Sequence, residues 1–248
     1  MRRINAFTLV ELLVALTITI VLFLILTSVV AATLGAWSQG RNRLDTYASA
    51  RQVLDRITDE LKGAGANPAV SGSQIQFVEN IAFGGVTTPN AYTSESVFFV
   101  APHPNLGGGD LCTIAYALDS ATHELKRSFR SSDQAWADGT GNRYQAAGHT
   151  YTAADWHVIA RGVLQFELRC YSQHDLDTNT DPPASTWDSE STDIYMIGQA
   201  PRRIVVRMQV VDDRTATQLV GIPPGTIYNR IVQRSARQFF SEVALPQP

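Results

Sequence analysis

From Leu12 to Gly40 this chain contains no Asp, Glu, Lys or Arg. A stretch of that kind is long enough to cross a bilayer core, which takes roughly 20 apolar residues at about 1.5 Å each. Cysteine is nearly absent: Cys112 and Cys170 are the only two, too few for a framework of several disulfides. The five histidines are scattered, and neither an H-E-x-x-H nor a G-x-S-x-G element occurs, so the common zinc-hydrolase and serine-hydrolase signatures are excluded. Asp212-Asp213 stands at the end of a strand pattern, where a solvated turn is the simplest expectation. The net charge is −3 with no basic patch in the body of the chain, which disfavours nucleic acid as a partner. Regular strand–helix alternation is also missing, which argues against a doubly wound parallel sheet.

Against that apolar background one acid stands out. Glu11 sits at the head of the uncharged run, where a carboxylate costs about 2.5–3.5 kcal/mol on insertion scales, so it calls for a partner or a task. Arg2 and Arg3 precede it and favour a cytoplasmic N-terminus, which sends the bulk of the chain to the other face of the membrane. A cleaved secretory signal would have a shorter apolar core and an A-x-A-like site, such as one near Ala31-Ala32. A plain anchor accounts for the length of the run and leaves Glu11 without a role.

Ala6-Phe7-Thr8-Leu9-Val10-Glu11-Leu12 resembles the prepilin signature of type IV pilins and type II secretion pseudopilins. In that family a short basic leader is removed before Phe, and the acid is fifth in the mature chain, as Glu11 is counting from Phe7. The resemblance implies cleavage between Ala6 and Phe7 by a prepilin peptidase, followed by N-methylation of Phe7. Ala6 departs from the Gly usual before the cut. Removing residues 1–6 with their two arginines would take the net charge from −3 to −5. The new α-amine has a reference pKa near 8 and is positive at neutral pH, and Glu11 of a neighbouring subunit could neutralise it. Such pairing in a low dielectric would fix the axial stagger of packed helices, making Glu11 an assembly residue.

The sequence divides into a leader (1–6), a membrane and assembly half of a long helix (7–36), an amphipathic half (37–65) and an exported β-rich domain (66–248). In the amphipathic half, Leu44, Tyr47, Ala50, Leu54, Ile57 and Leu61 recur at three- and four-residue steps and predict one buried stripe. Gly63, Gly65 and Pro68 supply the stop. A continuous helix of about 55 residues would be on the order of 80 Å long. Beyond it, strand patterns occur at Gln74 to Phe83, Ser96 to Ala101, Leu111 to Leu118, Glu124 to Phe129, His157 to Tyr171, Arg202 to Val211 and Phe239 to Leu245. Leu164, Phe166, Leu168 and Cys170 share one face of a strand, as do Ile204, Val206, Met208 and Val210. Ile231 to Val243 fits helix and strand equally. The expected fold is α+β, a long N-terminal helix packed on an antiparallel sheet.

Within the prepilin-like family, the body of the chain is similar to the J-type (W-type) minor pseudopilins. The likeness rests on Ile114-Ala115-Tyr116, Leu125-Lys126-Arg127, Val158-Ile159-Ala160, Val163-Leu164-Gln165-Phe166, Trp187 and Pro201-Arg202-Arg203-Ile204 in that order. It implies a non-catalytic, pilin-like subunit at or near the tip of a type II secretion pseudopilus. Its partners would be other minor and major pseudopilins, the prepilin peptidase and an inner-membrane assembly platform. It would cross the bacterial inner membrane once, with a cytoplasmic N-terminus and a periplasmic domain. A minor subunit of a type IV pilus and an anchored binding module that never polymerises are the alternatives.

Two smaller features complete the reading. Cys112 and Cys170 share the parity of neighbouring apolar residues, which fits a disulfide in an exported domain and two buried free thiols equally. Asp175, Asp177, Asn179 and Asp181 alternate as the oxygen ligands of a calcium loop do, but Thr180 and Thr186 stand where the loop's Gly and bidentate Glu belong. A solvated acidic loop is therefore expected, with no cofactor.

Overall fold

The computed structural model describes residues 9–64, 77–79, 81–86, 95–102, 111–137, 149–171, 201–223 and 225–245. Helix α1 spans Leu9–Lys62, and within it the chain divides into two compact units, Met1–Asp45 and Thr46–Pro248. The described residues of the first unit are all helical. The second unit thus starts inside the helical segment assigned to 37–65.

The C-terminal part of α1 is helical because a stripe of its residues has a core to enter. Ala50, Val53, Leu54, Ile57 and Leu61 are buried, while Tyr47 is half-buried and meets Phe239 with ring centroids 5.8 Å apart. Leu44, expected in the stripe, is 69% exposed, and Val53, not expected there, is buried. Burial therefore begins about one turn later than the periodicity alone implies. The helix closes at Gly63 and Ala64, whose N–H groups donate to the Glu60 and Leu61 carbonyls at 3.2 and 2.8 Å, tightening the last turn.

The strands form two antiparallel sheets. The first has the order β1 (Val78–Glu79), β2 (Ser96–Pro102), β3 (Leu111–Asp119), β4 (Glu124–Arg130), β5 (His157–Arg161). The second has the order β6 (Val163–Tyr171), β7 (Arg203–Val210), β8 (Arg237–Ala244). One cluster joins the helix stripe to Phe99, Tyr116 and Leu118 of the first sheet and Phe166, Ile204 and Met208 of the second. The α+β architecture with antiparallel strands matches the sequence reading. Short helices α2 (Ser132–Ala137), α3 (Asp213–Val220) and α4 (Thr226–Ser235) were not expected. The ambiguous run from Ile231 resolves into the end of α4 followed by β8.

Three local corrections share a backbone cause. The apparent single strand from His157 to Tyr171 is two strands in different sheets, broken at Gly162, whose φ is +70°. Here the chain leaves one sheet for the other: Val163 N–H donates to the His123 carbonyl at 3.0 Å, and the Gly162 carbonyl accepts from Val211 N–H at 2.9 Å. A bulge between Val163 and Gln165 then puts Val163 in the main core and turns Leu164 onto a satellite cluster with Val211, Ala216 and Leu219. Asp212 is not in a solvated turn. It caps α3, its carboxylate accepting from the Thr215 N–H and hydroxyl at 3.0 Å each.

Gly162→Ala should therefore be costly. A Cβ at Gly162 would run into the Val211 carbonyl oxygen, and the left-handed backbone adds strain for any L side chain. The expected loss is about 2–4 kcal/mol, read as a lowered denaturation midpoint with an unchanged slope.

Candidate functional site

Glu11 lies on α1 at the head of its apolar run. From Leu12 to Gly40 the helix carries no charged side chain. Every large apolar residue from Leu9 to Leu34 is more than half exposed, so within its own unit this surface is covered by nothing. Such a helix belongs in lipid or among other helices. It is the one described helix long and apolar enough to cross a membrane.

The hydroxyls scattered along it do not contradict that environment. Thr17 donates to the Val14 carbonyl and Thr19 to that of Ala15, both at 2.8 Å. Thr27 bonds the Phe23 and Leu24 carbonyls at 2.9 Å, and Ser28 that of Ile25 at 2.7 Å. Thr33 and Ser38 reach Val29 and Gly35 in the same way, at 2.8 and 3.0 Å. Each hydroxyl is satisfied inside the helix, which removes most of its cost in an apolar medium.

Where α1 meets the sheets, a half-buried carboxylate is held by several donors. Glu60 lies between core residues Ile57 and Leu61, and its carboxylate receives the Tyr116 hydroxyl at 2.5 Å. Arg127 grips the same carboxylate through Nε at 3.1 Å and Nη2 at 2.9 Å, and Arg56 of α1 adds a bond at 3.1 Å. Tyr116 and Arg127 are register partners on β3 and β4, and the Arg127 guanidinium also lies 4.8 Å from the Phe129 ring centre. Burial raises the Glu60 carboxyl, but the Tyr116 and Arg127 hydrogen bonds outweigh it and hold the group below its ordinary range. Burial first, then the Glu60 charge, pushes the Tyr116 phenol well up. Every strong donor in this cluster is spent on the one carboxylate, so it acts as a clamp from α1 to the first sheet. Sequence reading missed it. The available signals were a carboxylate beside the helix stripe and an arginine two residues from Leu125, at core-facing parity on β4.

The other predicted sites fall out as follows. Ala6 and Phe7, the leader 1–6, the Asp175, Asp177, Asn179 and Asp181 loop, and Trp187 lie outside the described residues. Cys112 and Cys170 are both free and buried. They stand on strands of different sheets, Cys112 against the Ser132 backbone and Cys170 against the Glu79 side chain. Burial raises both thiols, Cys170 the more, which makes them poor nucleophiles. Among the described residues no group of three or more His, Cys, Asp or Glu could hold a metal ion.

Residues 1–32 match the family described as the prokaryotic N-terminal methylation motif. No curated protein matches the chain. Among solved structures, one similar chain comes from the GspK-GspI-GspJ complex of the enterotoxigenic Escherichia coli Type 2 Secretion System. It is 12% identical with a TM-score of 0.38, the alignment covering 82% of this chain and 99% of that one. So distant a likeness does not assign a function.

Proposed function

We propose that this chain is a prepilin-like fibre subunit, and more narrowly a minor pseudopilin at or near the tip of a type II secretion pseudopilus. The observation that carries this reading is the match of residues 1–32 to the methylation motif, with Glu11 on the first turn of an apolar helix. The narrower assignment follows the order of sequence features in the body of the chain, which resembles that of J-type subunits.

In this reading a prepilin peptidase cuts between Ala6 and Phe7 on the cytoplasmic side and methylates the new Phe7 amine. The helix then waits in the inner membrane, crossing it once, with the domain on the periplasmic side. Assembly moves the helix from lipid into a bundle of its fellows, the other minor and major pseudopilins, driven by an inner-membrane platform. Glu11 of one subunit meets the positive amine of another and sets the stagger. The role is structural, with no catalytic step and no cofactor. A type IV pilus subunit would use the same residues, and the two are distinguished by whether deletion abolishes a secreted activity or a pilus-dependent trait.

The test is the intact mass and N-terminal sequence of protein recovered from membranes of its native host. A chain beginning at N-methylated Phe7 is the expected result. A chain beginning at Met1, or near Ala32, would remove the basis for a fibre subunit.

A further inference from the structure

The α3–α4 hairpin concentrates positive charge on a chain of net charge −3. Arg214 lies on α3, Arg230 and Arg234 on α4, and Arg237 opens β8, while α4 itself holds no acid. Asp212, the nearest carboxylate in sequence apart from Asp213, is engaged in capping α3. Among the described residues, Arg214, Arg230 and Arg234 make no ion pair.

Arg230 and Arg234 share α4 with exposed apolar surface: Ile227 is 67% exposed. Ile227, Arg230 and Arg234 follow each other at three- and four-residue steps, which puts them on one face of α4. The other face turns Tyr228, Ile231 and Val232 onto the satellite cluster, yet no residue of α4 is fully buried. The hairpin is held only from one side.

From this juxtaposition we infer that the Ile227–Arg230–Arg234 face of α4 is a docking surface for a partner protein that presents carboxylates around an apolar centre. Charge complementarity selects the sign of the occupant, since among the described residues no carboxylate pairs with these guanidiniums. Chemistry selects protein over bilayer. The cations are all arginine, whose planar fork grips carboxylates in pairs and is enriched at protein interfaces. The exposed apolar part of this face is the branched aliphatic Ile227, without the Trp, Phe or Leu that anchor an interfacial helix. The inference stands on the hairpin alone and does not need the fibre reading.

The test uses the full chain in membranes of its native host, with the photoreactive benzoylphenylalanine placed at Ile227 and, as a control surface, at Val158. Irradiation should yield an adduct from position 227 with a protein, mapped by mass spectrometry to a segment bearing carboxylates. The double change Arg230→Glu with Arg234→Glu should cut that adduct by about tenfold or more, whereas Arg230→Lys with Arg234→Lys should retain most of it. Reversing the mapped carboxylates to lysine should restore the adduct with the double-Glu chain. An adduct with lipid alone, one indifferent to charge reversal, one no stronger than from Val158, or none at all would overturn the proposal. Both arginines are exposed, and an unchanged protease-resistant domain in each variant confirms that folding is intact.

Discussion

Glu11→Leu will leave the chain in the membrane and stop it from assembling. Insertion should be as good or better, because a carboxylate, which is unfavourable in lipid, is replaced by a side chain that favours it. Assembly should fail because the neighbouring amine would then enter the helix bundle without a counter-charge, a loss of about 3–5 kcal/mol for each contact. At about 1.4 kcal/mol per factor of ten, that exceeds a hundredfold in each subunit equilibrium. Membrane flotation and recovery of sheared fibres report the two halves of the result. Fibres at the parental level from the variant would return this chain to the class of lone anchored modules.

Arg127→Ala should be the most damaging change in the folded domain. Its guanidinium makes two bonds to Glu60 in a region where Arg127 is 8% exposed and Tyr116 fully buried. Removing one partner of a buried pair costs about 3–5 kcal/mol, or roughly 6–20 °C in melting temperature for a domain of this size. Replacing the whole cluster, with Glu60→Leu, Arg127→Met and Tyr116→Phe, should recover much of that loss, since neither a charge nor the buried hydroxyl is then left without a partner. A triple variant no better than the single one would mean that the cluster is not the source of the effect.

The same clamp predicts how stability depends on pH. Glu60 is ionised more readily in the folded chain than at its ordinary value of 4.5. Its contribution is complete above that value and is lost as pH falls towards the depressed folded value. Tyr116 behaves oppositely. Its folded phenol resists ionisation, so its contribution is complete below the ordinary value of 10.0 and declines as pH rises beyond it. Stability should therefore form a plateau with an acid edge from Glu60 and an alkaline edge from Tyr116. Tyr116→Phe should erase the tyrosine's part of the alkaline edge while costing about 1.5–3 kcal/mol on the plateau.

What could be read in the sequence was whatever repeats along the chain. The long helix and the strands β2, β3, β4 and β7 are periodic over several residues, and the strands match their sequence patterns to within a residue. Single backbone events were not legible. Gly162 sits within an otherwise regular β pattern, and only the Val211 carbonyl packed against its Cα shows why the strand must break there. The bulge that exchanges Val163 for Leu164 leaves no mark on composition. Leu44 illustrates a different limit: periodicity identifies the stripe, but where the stripe begins to be covered depends on what it meets. In the candidate site, Glu11 was legible because a charge in an apolar run is conspicuous. Glu60 was not, because its partners come from strands 56 and 67 residues away in sequence.

The back-bonded hydroxyls of α1 have a consequence for movement. A helical segment whose hydroxyls from Thr17 to Ser38 are already bonded to its own carbonyls neither breaks nor makes hydrogen bonds through them when its neighbours change from acyl chains to other helices. Its polar groups set no preference between the two surroundings and leave no sticking point along the path. Traffic across that boundary is then reversible in principle. Its direction would be set by the mechanical work applied and by the one carboxylate at its head.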